Sequence, residues 1–329
     1  MVAGKFVSVV VAAVCAASLA GCGRHSSNEH YYLVTANTQL AYWQSAAAGL
    51  DKIAAQYRVH AEMRGPEKFD PQGEVDEFRA VAALKPAGIL VSVVDPALMQ
   101  PEIDSAVNAG IPVITVDSDA PNSRRLYFIG TNNREAGQLG GHALVDKLHG
   151  KGNVVFFTMP GQPNLDDRLS GYEDVLTTAP GIHVADIVDI RGQGTVAFDK
   201  TEAMMAQTGK DRVDAFVCLE ASAGKEVGEV LRRSSEHDRV LIAMDVDKDT
   251  LDLVKQGVIA ATVAQKPYTM AYVGVEMLDL EHHNPLPSLT RVYDVDPFSP
   301  IPTFIDTGVA LVNQNNVDAY LQAAQGQVN

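Results

Sequence analysis

Between Tyr31 and Ala264 the sequence alternates short runs rich in β-branched residues with segments whose apolar positions recur at helical spacing. That rhythm leaves few folds open: strand–helix–strand units at this pitch build a parallel sheet through right-handed crossovers, with helices on both faces. The clearest strand is Ile111-Pro112-Val113-Ile114-Thr115-Val116, entered through a proline and left at Asp117-Ser118-Asp119. In open α/β sheets ligand groups gather beyond the carboxyl ends of the strands, so Asp117 is placed to meet one, although an Asp there can equally cap the next element.

Upstream, the pattern predicts strands over Tyr31–Ala36, Val59–Met63 and Gly88–Val94, and helices over Tyr42–Tyr57, Glu74–Leu84 and Glu102–Asn108. After the strand Leu126–Gly130 the rhythm restarts, with helices over Arg134–Leu148, Asp167–Thr177, Lys200–Gln207, Ser222–Ser234 and Lys248–Gln256. The strands among them are Asn153–Met159, Ile182–Ile190, Asp214–Leu219, Val240–Met244 and Ile259–Ala264. The fold class expected is α/β, two doubly wound parallel-sheet lobes joined by a multi-strand hinge. Tyr268–Leu280 reads as a helix, His282–Pro287 as a polar break and Thr303–Val312 as one returning strand. These tail pieces are too few for a third sheet and more plausibly complete the two lobes. The expected division is 31–131 plus about 266–290 for one lobe and 132–265 plus about 291–325 for the other, with the chain crossing near Thr131, near Gln265–Pro267 and within Leu289–Thr307.

The first residues differ in kind. Lys5 is followed by an apolar run from Phe6 to Leu19 and then by Ala20-Gly21-Cys22, the layout of an export signal whose apolar part is short for a bilayer span. Small residues before a cysteine resemble the lipobox of bacterial lipoproteins, which makes residues 1–21 a signal peptide, Cys22 the lipidated first residue and 22–30 a tether. Loss of Lys5 with the signal takes the formal charge from −15 to −16. An acidic surface argues against a nucleic-acid partner and against electrostatic adhesion to anionic lipid, so membrane attachment is expected by the lipid anchor alone. Cys15 leaves with the signal and Cys22 is lipidated. Cys218 therefore stands alone, within the apolar run Ala215–Leu219, as a core residue without disulfide or metal role.

The lipobox, the two lobes, Pro112–Asp117 and the series Ala260-Ala261-Thr262-Val263-Ala264-Gln265-Lys266-Pro267 together resemble the periplasmic sugar-binding proteins of the ribose-binding type, the substrate-binding components of ABC importers. The resemblance covers roughly residues 31–312. It implies a sugar or small polyol held between the lobes and delivered to a membrane permease, on an exported, lipid-anchored protein at the periplasmic side, expected as a monomer without cofactor. Position by position it implies ligand contacts from Gln39, Tyr42, Trp43, Asp117, Arg168, Asp245 and Gln265, with Glu220 where an amide or Asp is usual and Phe198 under a gapped alignment. Carboxylates and amides satisfy sugar hydroxyls and aromatic faces cover the C–H faces. Ser118 replaces the Arg that follows the strand Asp in ribose-binding members, and Ser92 replaces an amide, so a hydroxyl pattern other than that of ribose is expected.

Other classes fit less well. A receptor feeding a chemoreceptor or histidine kinase is the alternative that the sequence does not separate from transport, whereas repressors of the lac type need a helix-turn-helix that is absent here. Gly192-Gln193-Gly194 is too short a motif for a dinucleotide site. His282-His283 reads as a solvated break, since neighbouring side chains rarely converge on one ion and no further His lies nearby in sequence. Asp166-Asp167 reads as a helix start rather than a catalytic pair. No enzyme activity and no metal are expected.

Overall fold

A computed structural model describes residues 25–234, 238–293 and 295–326. The export signal and Cys22 lie outside the described residues, among which no helix is long and apolar enough to cross a membrane. The first lobe runs β1 (His30–Val34), α1 (Ala41–Tyr57), β2 (His60–Arg64), α2 (Pro71–Ala83), β3 (Gly88–Val91), α3 (Pro96–Asn108), β4 (Val113–Val116) and β5 (Phe128–Gly130). The second runs α4 (Asn133–Lys147), β6 (Lys151–Thr158), α5 (Pro163–Leu176), β7 (Gly181–Asp189), α6 (Gly194–Met205), β8 (Ala215–Cys218), α7 (Ala223–Arg233), β9 (Val240–Met244), α8 (Lys248–Lys255) and β10 (Ala261–Ala264). The chain ends with α9 (Pro267–His283), β11 (Phe304–Asp306), β12 (Ala310–Val312) and α10 (Val317–Gly326).

Both sheets have six strands, in the orders β11-β5-β4-β3-β1-β2 and β12-β10-β9-β8-β6-β7. All pairings are parallel except β10 with β12. The orders superimpose strand for strand, so β4 and β9 hold equivalent places. Each sheet is covered on both faces by an apolar cluster, one containing Tyr42, Trp43, Leu50 and Met270 and another Phe157, Cys218 and Leu241. Continuous apolar strands such as Val113-Ile114-Thr115-Val116 are what burial on both faces demands.

Local chemistry sets the helix starts. Asp70 and Asp95 cap α2 and α3, each followed by Pro at the first helical position. That cap starts α3 at Pro96 instead of Glu102, and α5 likewise starts at Pro163 instead of Asp167. His282 and His283 complete the last turn of α9, so the polar break begins only at Asn284.

Two corrections concern the tail. The expected strand Thr303–Val312 is two strands of three residues in different sheets, broken at Thr307-Gly308-Val309, with Gly308 at φ +79°. The segment before it, placed by sequence with the second lobe, contributes Tyr293 and Ile301 to the first lobe's core and β11 to its sheet. The third crossing therefore lies at 307–309. The crossings are laced together: the Thr307 amide and hydroxyl both donate to the Gly130 carbonyl, and the Thr131 hydroxyl donates to Gln265 Oε1 at 2.8 Å. Three linked strands permit bending and resist twisting.

Candidate functional site

Asp117 and Asp245 leave β4 and β9 at the same structural place, and both adopt left-handed backbone, φ 64° and 70°. Their amides make matching bonds, to Ile129 O and Val263 O of the next strand. Asp tolerates this conformation at small cost, and the turn swings each carboxylate out of the sheet toward the other lobe. The two acids line a cleft of about 620 Å3, part of it open to solvent.

Arg168 stands between them, 2% exposed. It donates to Leu219 O, to Asn133 Oδ1 at 2.6 Å and to Gln265 Oε1 at 3.3 Å. Two glycines bring it there: a Cβ on Gly171 would lie 2.1 Å from Arg134 O and one on Gly137 2.0 Å from Arg168 O, so α4 and α5 touch backbone to backbone. Gln265 passes the connection on, donating to Asp245 Oδ1 at 3.0 Å while accepting from Thr131. The site is thus hydrogen-bonded to two of the crossing segments.

On the first-lobe side Asp117 accepts from Tyr42 OH at 2.6 Å and Ser92 Oγ at 3.2 Å. Across the cleft it accepts from Asn164 Nδ2 at 3.3 Å, a bond between lobes. Trp43 lines the cleft with its ring edge-on to Tyr42. At the mouth, Phe69 of the first lobe lies on Gly192 of the second. Three buried polar atoms of the lining have no partner: Gln162 Oε1, Asn164 Oδ1 and Arg168 Nε. Buried polar groups are costly when unsatisfied, so these mark where polar ligand atoms belong.

Of the residues singled out from the sequence, Tyr42, Trp43, Asp117, Arg168, Glu220, Asp245 and Gln265 surround this one cleft. Glu220 does so with its carboxylate already used, accepting from Ser222 N, Ser222 Oγ and Ala223 N at the start of α7. Gln39 is exposed, and its neighbours Asn37 and Leu40 line the cleft instead. Phe198 lies on α6 under the Arg233 guanidinium, 5.8 Å from ring centroid to charge, and is not part of the lining. Sequence reading missed Phe69, Gln162 and Asn164. Pro163 was the signal for the last two: as first helical residue it puts Asn164 and Arg168, four apart, on one face.

Burial pushes the Asp245 carboxyl up to about 7, against Arg168 and the Gln265 bond, which favour the charged form. Burial likewise raises Asp117, opposed by Tyr42, Arg168 and Ser92, and raises Glu220, opposed by its bonds from Ser222 and Ala223. With its folded pKa above the ordinary 3.8, Asp245 holds its proton more strongly in the folded chain. It therefore adds stability that is complete below pH about 4 and is lost as pH rises through about 7. A ligand hydroxyl donating to Asp245 favours the carboxylate, so binding should release protons near neutral pH and tighten by up to about tenfold from pH 6 to 8. Calorimetry in buffers of different ionisation enthalpy reads this directly. Pairing in which no proton is exchanged would assign Asp245 a structural role.

Two similar lobes, a cleft between them lined by acids, amides and aromatic rings, and contacts that span it define a solute-binding protein that encloses its ligand, and not an enzyme. The sequence matches the family described as periplasmic binding protein domain over residues 31–281, and the chain belongs to that family. It is 25% identical over 279 residues to the xylose/arabinose-binding protein of Sulfolobus acidocaldarius, a match covering 79% of this chain and 65% of that protein. The chain thus spans just under two thirds of that relative's length. Among solved structures it resembles the sugar-binding protein of a sugar ABC transporter from Bacillus halodurans, with 33% identity, TM-score 0.75 and coverage of 89% of this chain and 99% of that one. It also resembles AraP, an arabinose binding protein from Geobacillus stearothermophilus, with 30% identity, TM-score 0.72 and the same coverage.

Proposed function

We propose that this exported protein is the sugar-binding component of an ABC importer, held to the membrane by lipid on Cys22, and that its ligand is an aldopentose such as arabinose or xylose rather than ribose. The observation that carries this reading is the pairing of Asp117 and Asp245 at equivalent left-handed strand exits, with Arg168 between them and three unpartnered polar atoms in the lining. A sugar supplies what that lining lacks. Its hydroxyls donate to the two carboxylates and to Gln162 and Asn164, an oxygen accepts from Arg168 Nε, and its C–H faces meet Trp43 and Phe69. The xylose/arabinose-binding relative and the arabinose-binding structure support the choice of pentose. Ser118 and Ser92 support the exclusion of ribose, because a bidentate guanidinium and an amide are both replaced by short hydroxyls.

Binding energy closes the lobes in proportion to the ligand's preference for the closed shape, and a permease can read that shape as occupancy. The test is calorimetry of the purified protein against xylose, arabinose, ribose, glucose, galactose and xylitol, with Trp43 fluorescence as a second readout, since Trp43 is the only tryptophan. Arabinose or xylose is expected to bind at least tenfold tighter than ribose and to shift the emission. Ribose binding tightest would refute the exclusion of ribose, and glucose, galactose or xylitol binding tightest the pentose assignment; heat from none of the six would refute the sugar.

A further inference from the structure

A second polar cluster lies on the first lobe, where the chain enters it. His25 and Glu29 lie within the segment expected as a tether, and Asp279 and His283 sit one turn apart at the end of α9. His25 Nε2 is 3.0 Å from Asp279 Oδ2, and His283 Nε2 is 3.5 Å from Glu29 Oε1. Tyr31 OH donates to the other oxygen of Asp279. The ligating atoms of Glu29, Asp279 and His283 all fall within 4.8 Å of one another. No His beyond His282-His283 is close in sequence; folding supplies His25 from more than 250 residues away.

The detail of His283 is informative. Its Nδ1 is 2.9 Å from the Asp279 backbone carbonyl, an acceptor only, so Nδ1 donates there and Nε2 is left facing Glu29. An imidazole fixed by a backbone carbonyl, with its other nitrogen facing carboxylates, is the arrangement of a metal-ligating histidine. His25 stacks on Tyr57, centroids 4.2 Å apart, with its Nε2 on Asp279 Oδ2. Both carboxylates are largely out of water, at 4% and 12% side-chain exposure, and Glu29 Oε2 is buried without a partner. Two desolvated acids whose ion-pair partners are imidazoles call for positive charge at their centre.

We infer that Glu29, Asp279 and His283 form a three-ligand site for a divalent transition metal, zinc being the best match, which clips the membrane-proximal segment to the end of α9, with His25 hydrogen-bonded to Asp279 beside it. One imidazole and two carboxylates suit zinc, whose bonds of roughly 2.0–2.2 Å set tetrahedral ligand atoms about 3.3–3.6 Å apart. The 3.5 Å between His283 Nε2 and Glu29 Oε1 already matches that spacing. Three protein ligands leave the fourth position to water, and the ion's part is to hold Glu29 against α9.

The test uses the full chain in detergent, stripped with EDTA and then given ZnCl2 alone. One zinc per chain should survive gel filtration, cobalt in its place should give the strong visible absorption of four-coordinate Co2+, and zinc should raise the melting temperature. Glu29→Gln and His283→Gln should each weaken zinc binding at least tenfold. The cobalt spectrum of the unaltered protein keeps the test valid if a variant folds poorly. Substoichiometric zinc, a weak six-coordinate cobalt spectrum, or zinc held equally by both variants, as thiols near the N-terminus would hold it, would overturn the site.

Discussion

Arg168→Met is expected to abolish sugar binding, by at least a hundredfold, and to lower stability by about 3–5 kcal/mol, the usual loss when one member of a buried charged set is removed. Three carboxylates depend on this guanidinium: its field favours the charged forms of Asp117, Glu220 and Asp245. Its N–H groups also satisfy Leu219 O, Asn133 Oδ1 and Gln265 Oε1, all of which lose a donor in the variant. Because Asp245 can take up a proton below about 7, the stability loss should be smaller at pH 5 than at pH 8. Urea denaturation at the two pH values checks the second statement and titration calorimetry the first. Retention of affinity within tenfold would show that Arg168 serves the scaffold only.

Gly192→Ala acts on closure rather than on contacts. Gly192 has φ +68°, and a Cβ there would lie 2.3 Å from Cγ and 2.7 Å from Cβ of Phe69 in the opposite lobe. Those atoms are near the Phe69 backbone, so the ring cannot swing aside and the relief available is to part the lobes. Affinity should fall more than tenfold, and small-angle scattering at saturating sugar should show less compaction than the unaltered protein. The left-handed backbone itself adds about 1–2 kcal/mol of destabilisation. Phe69→Gly in the same chain, which removes both of those atoms, should restore compaction, which separates the clash across the mouth from that local cost. Full compaction of Gly192→Ala would mean that the mouth does not close on Phe69.

The fold was legible because both sheets are parallel and covered on each face, which writes continuous β-branched runs and helical spacing into the sequence. What escaped were features that depend on partners distant along the chain. Nothing in Thr303–Val312 says that Ile305 pairs with Ile129 while Leu311 pairs with Val263. Within the cleft, Asp117 and Asp245 could be found because a strand ends at each. Glu220 looked like a ligand contact from its place at a strand exit, but the α7 amides two and three residues on claim its carboxylate. Phe198 was misplaced because only a gapped alignment put it near the ligand, and the spacing of α6 turns it toward Arg233. Asn164 was overlooked through a boundary error of four residues. His25 and His283 could not be joined by any argument from spacing.

The strands β11 and β12 carry a consequence for how the protein is made. Each sheet ends in a strand of three residues contributed by the last tenth of the chain, so β5 and β10 keep a bare hydrogen-bonding edge until residue 312 has left the ribosome. Each half is finished only when this late segment arrives, so the two are completed together.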